Sequence, residues 1–341
     1  MDLDNKRILV IGGAGLIGSH TVDQLLKEPV MELRIFDNFS RGRQENLADA
    51  LKDPRVKVFP LGGELLHPEI VEAAMADIDG VFHFAALWLL HCWDYPRSAF
   101  DVNCGGLINV LEAIVNNPNV QRLVWSSSAS VYGDAITEPM KEDHPFNNTN
   151  FYGATKVAGE QMCRAYHHRH KGSPKEFEYV GLRYMNVYGA RQDYQGAYIA
   201  VIMKILDRLD QGLPPIVYGD GSQAYDFVNV VDCARANVAA MKANSTDEFY
   251  NVGTGVKTTI KQLVELILEV TGSNVEIQYE PAGQTFVKNR IGCPDKAEKE
   301  INYKYAVELR EGLEQLIQWR LQHKSEVLSR RIDAGLDEEN G

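Results

Sequence analysis

Arg7-Ile-Leu-Val-Ile11 runs directly into Gly12-Gly-Ala-Gly15-Leu-Ile-Gly18-Ser-His20. The first five residues are a β-branched apolar run, which reads as a buried parallel strand. Beyond the glycines, Val22, Leu25 and Leu26 recur at helical spacing. Strand, glycine turn and helix in that order are the context a dinucleotide fingerprint needs. Gly12 permits the tight turn and Gly15 lets the backbone approach a pyrophosphate at the helix N-terminus. Gly18 lets the helix pack closely on the strand. The spacing is Gly-x-x-Gly-x-x-Gly rather than the commoner Gly-x-Gly-x-x-Gly, and a plain turn is the alternative. Glu32–Phe36 reads as the next strand, ending at Asp37 about twenty residues past the last glycine. An acid there accepts hydrogen bonds from the ribose of NAD and repels the 2′-phosphate of NADP. Arg41 and Arg43 pull toward NADP, but Asp37 occupies the strand end itself.

Working outward, further strands are predicted at Val56–Phe59, Val81–Phe84, Arg122–Trp125 and Tyr179–Leu182, with helical stretches between them. That alternation implies an α/β fold with a Rossmann-type, doubly wound parallel sheet. The rhythm breaks near Gln192. A dinucleotide-binding domain is therefore expected over residues 1–190, with returning segments near 226–255. A smaller, interleaved α/β substrate-binding subdomain is expected over 191–330. Phe227–Val231 looks like a return to the sheet, and Val307–Lys324 like the last helix. The charged tail over 325–341 is expected to fray.

The net charge is −12, which disfavours nucleic acid or an anionic membrane as partner. Five scattered cysteines without a Cys-x-x-Cys pair point away from a disulfide framework or a zinc site and toward a reducing, cytoplasmic setting. No metal and no membrane span are expected, since no apolar run reads as long enough to cross a bilayer.

Asn148-Thr-Asn-Phe-Tyr-Gly-Ala-Thr-Lys156 places a phenol and an ammonium four residues apart, at the start of a helical pattern capped by Thr149 or Asn150. Positions i and i+4 share a helix face. A cation beside Tyr152 would lower its pKa and make it a base near neutral pH. Alone, the pair is commonplace. Its weight comes from its company: Ser126-Ser-Ser-Ala-Ser-Val-Tyr-Gly133 and His83-Phe-Ala-Ala86 also stand at strand ends. In the stretch that follows, Trp88, His91 or Cys92 either lines a pocket or belongs to a packed loop. Asn103 reads as a structural hydrogen-bonder.

Together, Gly12–Gly18, Asp37, His83–Ala86, Ser126–Gly133, Tyr152 with Lys156, Arg183–Gln192, Gly219–Gly221 and Tyr250–Gly255 resemble one family along nearly the whole chain. It is the NAD-dependent epimerase/dehydratase group of extended short-chain dehydrogenases/reductases. The likeness is strongest to nucleotide-sugar 4-epimerases. The resemblance implies that Tyr152 is the base on a sugar hydroxyl and that Ser128 bonds the same hydroxyl. Lys156 would lower the phenol's pKa and hold the nicotinamide ribose. A hydride passes to NAD and returns to the other face of a 4-keto sugar. Cofactor contacts would come from Leu16, Ile17, Asn38, Ser40 and Arg41 early in the chain. Glu64, Leu65, Phe84, Ala85, Ala86 and Ser126 would complete them. Substrate contacts would come from Leu87, His91, Asn186, Arg191, Tyr198, Tyr225 and Arg290. Tyr184, Val187 and the Gln192–Tyr198 segment would line the channel. A homodimer is implied, with Leu107, Val110, Leu111, Ile114, Met162 and Tyr166 either at its contact or in the core.

The dehydratases of the family carry an Asp-Glu pair after the active-site hydroxyl, and here those positions are Ala129 and Ser130. Epimerisation needs only the Ser, Tyr and Lys. Three departures stand out. Gly62-Gly63-Glu64 replaces Gly-Asp at the adenine, and Tyr225 occupies the position of a diphosphate-binding Arg. No Arg-x-Gly-Asp segment appears around Pro281–Phe286. Arg191, Lys288 or Arg290 would have to compensate. A sugar or polyol dehydrogenase with net redox change is the alternative. A non-catalytic NAD(H)-binding regulatory protein ranks below both.

Overall fold

The structure, a computed structural model, describes residues 1–194, 200–282 and 287–335. Its centre is a seven-stranded sheet, parallel throughout. The strands in chain order are β1 (Arg7–Ile11), β2 (Glu32–Phe36), β3 (Val56–Val58), β4 (Gly80–His83), β5 (Arg122–Ser128) and β6 (Glu178–Tyr184). Outside this sheet lie β7 (Asn186–Tyr188), β8 (Ile216–Tyr218), β9 (Ala224–Tyr225) and β10 (Phe227–Asn229). β11 (Glu248–Val252) returns to complete the sheet in the order β11-β6-β5-β4-β1-β2-β3. The order reverses at β1, so the crevice for a ligand opens at the carboxyl ends of β1 and β4.

The period-2 geometry of a strand divides β1 between two cores. Ile8 and Val10 face the helices Leu16–Leu25 and Val230–Lys242, while Leu9 and Ile11 face the helix Gly106–Asn116. Both faces are covered, which is why β1 is apolar at every position but its first.

The structure departs from expectation in several places. β5 continues through Ser126, Ser127 and Ser128 rather than ending at Trp125, so the serine hydroxyls are held by strand geometry. Phe227–Asn229 does not rejoin the main sheet. It pairs with β7, and β11 takes the edge beside β6. Pro96–Asn116 is one helical run, long and apolar enough by length and composition to cross a membrane. Its apolar residues Leu107, Val110, Leu111 and Ile114 are buried in the sheet core, the second of the two places expected for them. Met162 and Tyr166 are half-buried against the same core. The run is interrupted by a π-helical turn at Asp101–Gly105, which carries Asn103.

The tail is also ordered further than expected. Beyond the helix Leu309–Gln322, residues Lys324–Asp333 form another helix with Val327 and Arg330 buried. The last strands, β12 (Thr258–Thr259), β13 (Gln278–Glu280) and β14 (Asn289–Arg290), belong to small sheets. β14 runs parallel to β9, setting Arg290 opposite Tyr225.

Candidate active site

A cavity of about 420 Å³ lies along the carboxyl ends of the main strands. At one end is the glycine turn. Gly12 has φ +77°, and a Cβ there would sit 2.7 Å from the amide nitrogen of Ala85. A Cβ on Gly18 would sit 2.1 Å from the carbonyl oxygen of Gly12. The turn is thus folded back on itself and against the end of β4, with Gly15, Leu16 and Ile17 on the cavity wall. Asp37 stands at the end of β2. Its carboxylate accepts from the backbone N–H groups of Ala14 (2.8 Å) and Phe39 (2.9 Å). Burial raises its pKa, and the two N–H donors oppose that. Gly63 approaches the Asp37 backbone so closely that a Cβ would lie 2.1 Å from its carbonyl carbon. That contact explains the second glycine of Gly62-Gly63-Glu64. Glu64 itself lines the cavity and accepts from the Asn38 side chain at 3.3 Å.

Ser40 and Arg41 line the same end. Arg41 is already engaged: it pairs with Asp193 at 2.6 Å, and its guanidinium lies 4.7 Å over the Trp88 ring. A guanidinium so occupied is a poor receptor for a 2′-phosphate, which leaves Asp37 to decide the cofactor. Glycines without room for a Cβ and an acid at the end of β2 fit an NAD cradle.

At the other end, the helix Phe151–His170 is capped by Asn150, whose side-chain oxygen accepts from the Gly153 N–H at 2.8 Å. It presents Tyr152 and Lys156 to the cavity beside Ser126 and Ser128 on β5. Inside the protein, Glu160 of this helix pairs with Arg183 of β6 at 2.7 Å and accepts from Ser127 at 2.6 Å. That buried network fixes the helix against the sheet. Asn103, on the π turn, receives the Leu87 N–H at 2.7 Å and reaches Thr155 at 3.2 Å. It clamps the loop after β4 to the Tyr152 helix, a structural role as the sequence suggested.

The expected effect of Lys156 on the phenol is not what this geometry delivers. Its ammonium donates to the Ser126 carbonyl at 2.7 Å and lies 5.7 Å from the Tyr152 ring centroid. Burial pushes Tyr152 up to about 12, opposed by a hydrogen bond with Ser128 and by the charges of Arg41 and Arg290. Burial also lowers Lys156 to about 8. Desolvation outweighs the cation because the ammonium is tied to the strand end and not to the phenol oxygen. His83, buried at the end of β4, is pushed down to about 3 by burial and then by the Lys156 charge, so its ring is neutral.

Of the residues expected at the site, Phe84, Ala85, Ala86, Leu65, Leu87, Asn186 and Arg191 line the cavity, as do Tyr184, Val187 and Arg290. Others do not. His91 packs between the tilted rings of Trp88 and Tyr95 and bonds Ser98 at 3.0 Å, while Trp88 takes the place on the wall. Cys92 is fully buried beneath the loop. Tyr225 is buried, with its hydroxyl donating to the Val287 carbonyl at 2.8 Å. Gln192 is buried under β7, accepting from the Gly189 N–H at 3.2 Å. The Lys288 side chain is exposed to solvent. Tyr198 and residues 283–286 lie outside the described residues. Of the three residues considered after β4 only Trp88 is on the wall, Asp193 represents the Gln192–Tyr198 segment there, and Arg330, which nothing in the sequence pointed to, joins them. Arg330 has no signal in the sequence, because it reaches the cavity through contacts with the distant Arg191 and Asn46.

Comparison with known proteins accounts for this arrangement. The model of the NAD dependent epimerase/dehydratase family matches residues 8–253. The chain belongs to that family. A putative UDP-glucose 4-epimerase of Methanocaldococcus jannaschii is 33% identical over 92% of this chain and 97% of its own. A UDP-N-acetylglucosamine 4-epimerase from Methanobrevibacter ruminantium, solved with UDP-N-acetylmuramic acid, superposes with a TM-score of 0.85 at 30% identity. That match covers 94% of this chain and 99% of the other. A dTDP-glucose 4,6-dehydratase from Streptomyces venezuelae, solved with NAD, has a TM-score of 0.84 at 25% identity, over 94% and 98% of the two chains. Family membership makes this chain an NAD-dependent enzyme whose relatives act on nucleotide sugars.

Proposed function

We propose that the chain is a nucleotide-sugar 4-epimerase. One observation supports this over the family's other chemistries. Beside Ser128, Tyr152 and Lys156 the wall offers hydroxyls, a phenol, an ammonium and the Arg290 guanidinium, but no carboxylate among the described residues. The carboxylates on the wall, Asp37, Glu64 and Asp193, belong to the β2 side, and Asp193 is paired with Arg41. Water elimination needs an additional acid and base near the sugar. Epimerisation at C4 needs one base, which then acts as the acid.

In this reading the Gly12–Gly18 turn and Asp37 would hold NAD, which would supply the acceptor and donor for the C4 hydride, returned to the opposite face of the 4-keto sugar. Tyr152 accepts the C4 hydroxyl proton and returns it, with Ser128 bonding the same oxygen. Lys156, held by the Ser126 carbonyl, keeps a positive charge on this wall below about pH 8. Asn186 and Arg290 bind the sugar nucleotide's diphosphate. Arg290, from β14, fills the gap left by Tyr225 on the strand beside it. The proposal includes a homodimer, checked by solution mass. It also includes a cytoplasmic setting, which five unpaired, buried cysteines suit.

The test is incubation of the purified protein with UDP- and dTDP-hexoses and with a UDP-hexuronate, followed by NMR of the sugar. An epimer formed without net change in NADH supports the reading. A 4-keto-6-deoxy product, loss of carbon dioxide, or stoichiometric NADH would each overturn it, the last in favour of a dehydrogenase.

A further inference from the structure

The C-terminal helix Lys324–Asp333 lies beyond the residues matched by the family model, yet it inserts Arg330 into the wall of the cofactor cavity. Arg330 is 3% exposed. One terminal nitrogen donates to the Arg191 carbonyl at 3.0 Å and the other to the Asn46 side-chain oxygen at 2.8 Å. Its Nε is buried with no hydrogen-bond partner among the described residues. The carboxylate paired with it, Glu326, stands off at 3.5 Å. The Trp319 ring lies 5.4 Å from the guanidinium. Neutral carbonyls hold this cation in place but leave its charge poorly compensated, which is costly in a buried site. Burial and then the nearby Arg43 disfavour the charged form, and the Glu326 and Asp193 carboxylates oppose them.

The neighbourhood supplies the reason to keep such a cation. Asn46, which receives Arg330, donates to the Ala14 carbonyl at 2.7 Å. The Arg43 N–H donates to the same carbonyl at 3.1 Å. Ala14 is in the glycine turn that leads into the N-terminus of the helix Leu16–Leu25, where free N–H groups favour an anion. Two other arginines on this wall are already neutralised, Arg41 by Asp193 and Arg191 by Asp23 at 2.8 Å. We propose that Arg330 is a direct ligand of the cofactor's diphosphate, so that the C-terminal helix is part of the dinucleotide site and is held down by the bound cofactor. The proposal rests on NAD as cofactor and is independent of which sugar is turned over.

The test uses the full chain stripped of cofactor, with ADP-ribose and adenosine titrated by calorimetry. Arg330→Gln is expected to weaken ADP-ribose by roughly tenfold to a hundredfold, the loss of one charge-assisted hydrogen bond. Adenosine affinity should not change, and Arg330→Lys should recover part of the loss. Unchanged ADP-ribose affinity in Arg330→Gln overturns the proposal. So does an equal loss for both ligands, since that marks a merely structural arginine. If Arg330→Gln does not fold, amide exchange in the unmodified protein decides. Slower exchange over 324–333 with ADP-ribose but not with adenosine supports the role, and identical exchange overturns it.

Discussion

At the β2 side of the cavity, Gly12, Gly18 and Asp37 work through the backbone: a turn that admits no Cβ, and a carboxylate held by two N–H groups. At the side of Ser128 and Tyr152, the chemistry depends on side chains delivered by separate elements, namely β5, the helix Phe151–His170, β7 and β14. The first side is built from one contiguous strand-turn-helix-strand unit, so local geometry nearly determines it. The second exists only when several distant segments dock. A binding fold can therefore survive changes that abolish its reaction, and the reverse is harder to achieve.

The sharpest way to break the two sides apart is Tyr152→Phe. Turnover should fall by about 10²–10⁴-fold, the usual contribution of a general acid–base group, while NAD affinity of the stripped protein is unchanged. Parallel loss of NAD binding, read by calorimetry, would show that the two sides are not separable. The converse variant is Gly18→Ala. Its new Cβ would meet the Gly12 carbonyl oxygen at 2.1 Å, so the turn must move. A loss of about 1–3 kcal/mol in stability is expected, with NAD affinity falling as well. Denaturant unfolding with and without NAD measures both.

Within the second side, Arg290→Gln should raise the KM for the sugar nucleotide about tenfold with little change in kcat, as expected when one charge-assisted contact is lost. Tyr225→Phe should leave KM alone and cost about 0.5–1.5 kcal/mol of stability, since its buried hydroxyl donates to the Val287 carbonyl. If Tyr225 controlled KM instead, the assignment of Arg290 as its stand-in would fail.

The most gradual expected effect is on pH dependence. Lys156 is pushed from its ordinary 10.5 to about 8 in the folded chain. Between those values the unfolded chain holds a proton that the folded chain has released, so this group makes the cofactor-free protein more stable as pH rises from about 8 to 10.5. Below pH 8 the cost of burying the ammonium is fully present. Subtracting a Lys156→Met variant isolates the slope; identical slopes for the two proteins in that window would contradict the assignment.

The fold was legible in the sequence because its main evidence is local. An apolar run, three glycines, a helical period and an acid at a strand end identify the sheet's first unit without any long-range contact. Helix geometry put Tyr152 and Lys156 on one face, and the serine-rich strand end and the other motifs around them made the pair stand out. What the pair does electrostatically was not legible. The ammonium turned out to bond the Ser126 carbonyl, and desolvation then dominates the phenol. His91 and Tyr225 were misplaced because whether a side chain faces a cavity or a core depends on what packs beside it.

The sequence by itself determined the architecture, the dinucleotide cradle and the reactive pair, because the residues concerned are neighbours along the chain or one helical turn apart. Only the tertiary structure decided that Arg290 lines the cavity while Tyr225, opposite it in register, is buried, that Arg41 is occupied by Asp193, and that a charged C-terminal stretch folds and sends Arg330 into the wall. These are pairings between strands and helices far apart in the chain, set by register and burial, and residue spacing carries no record of either.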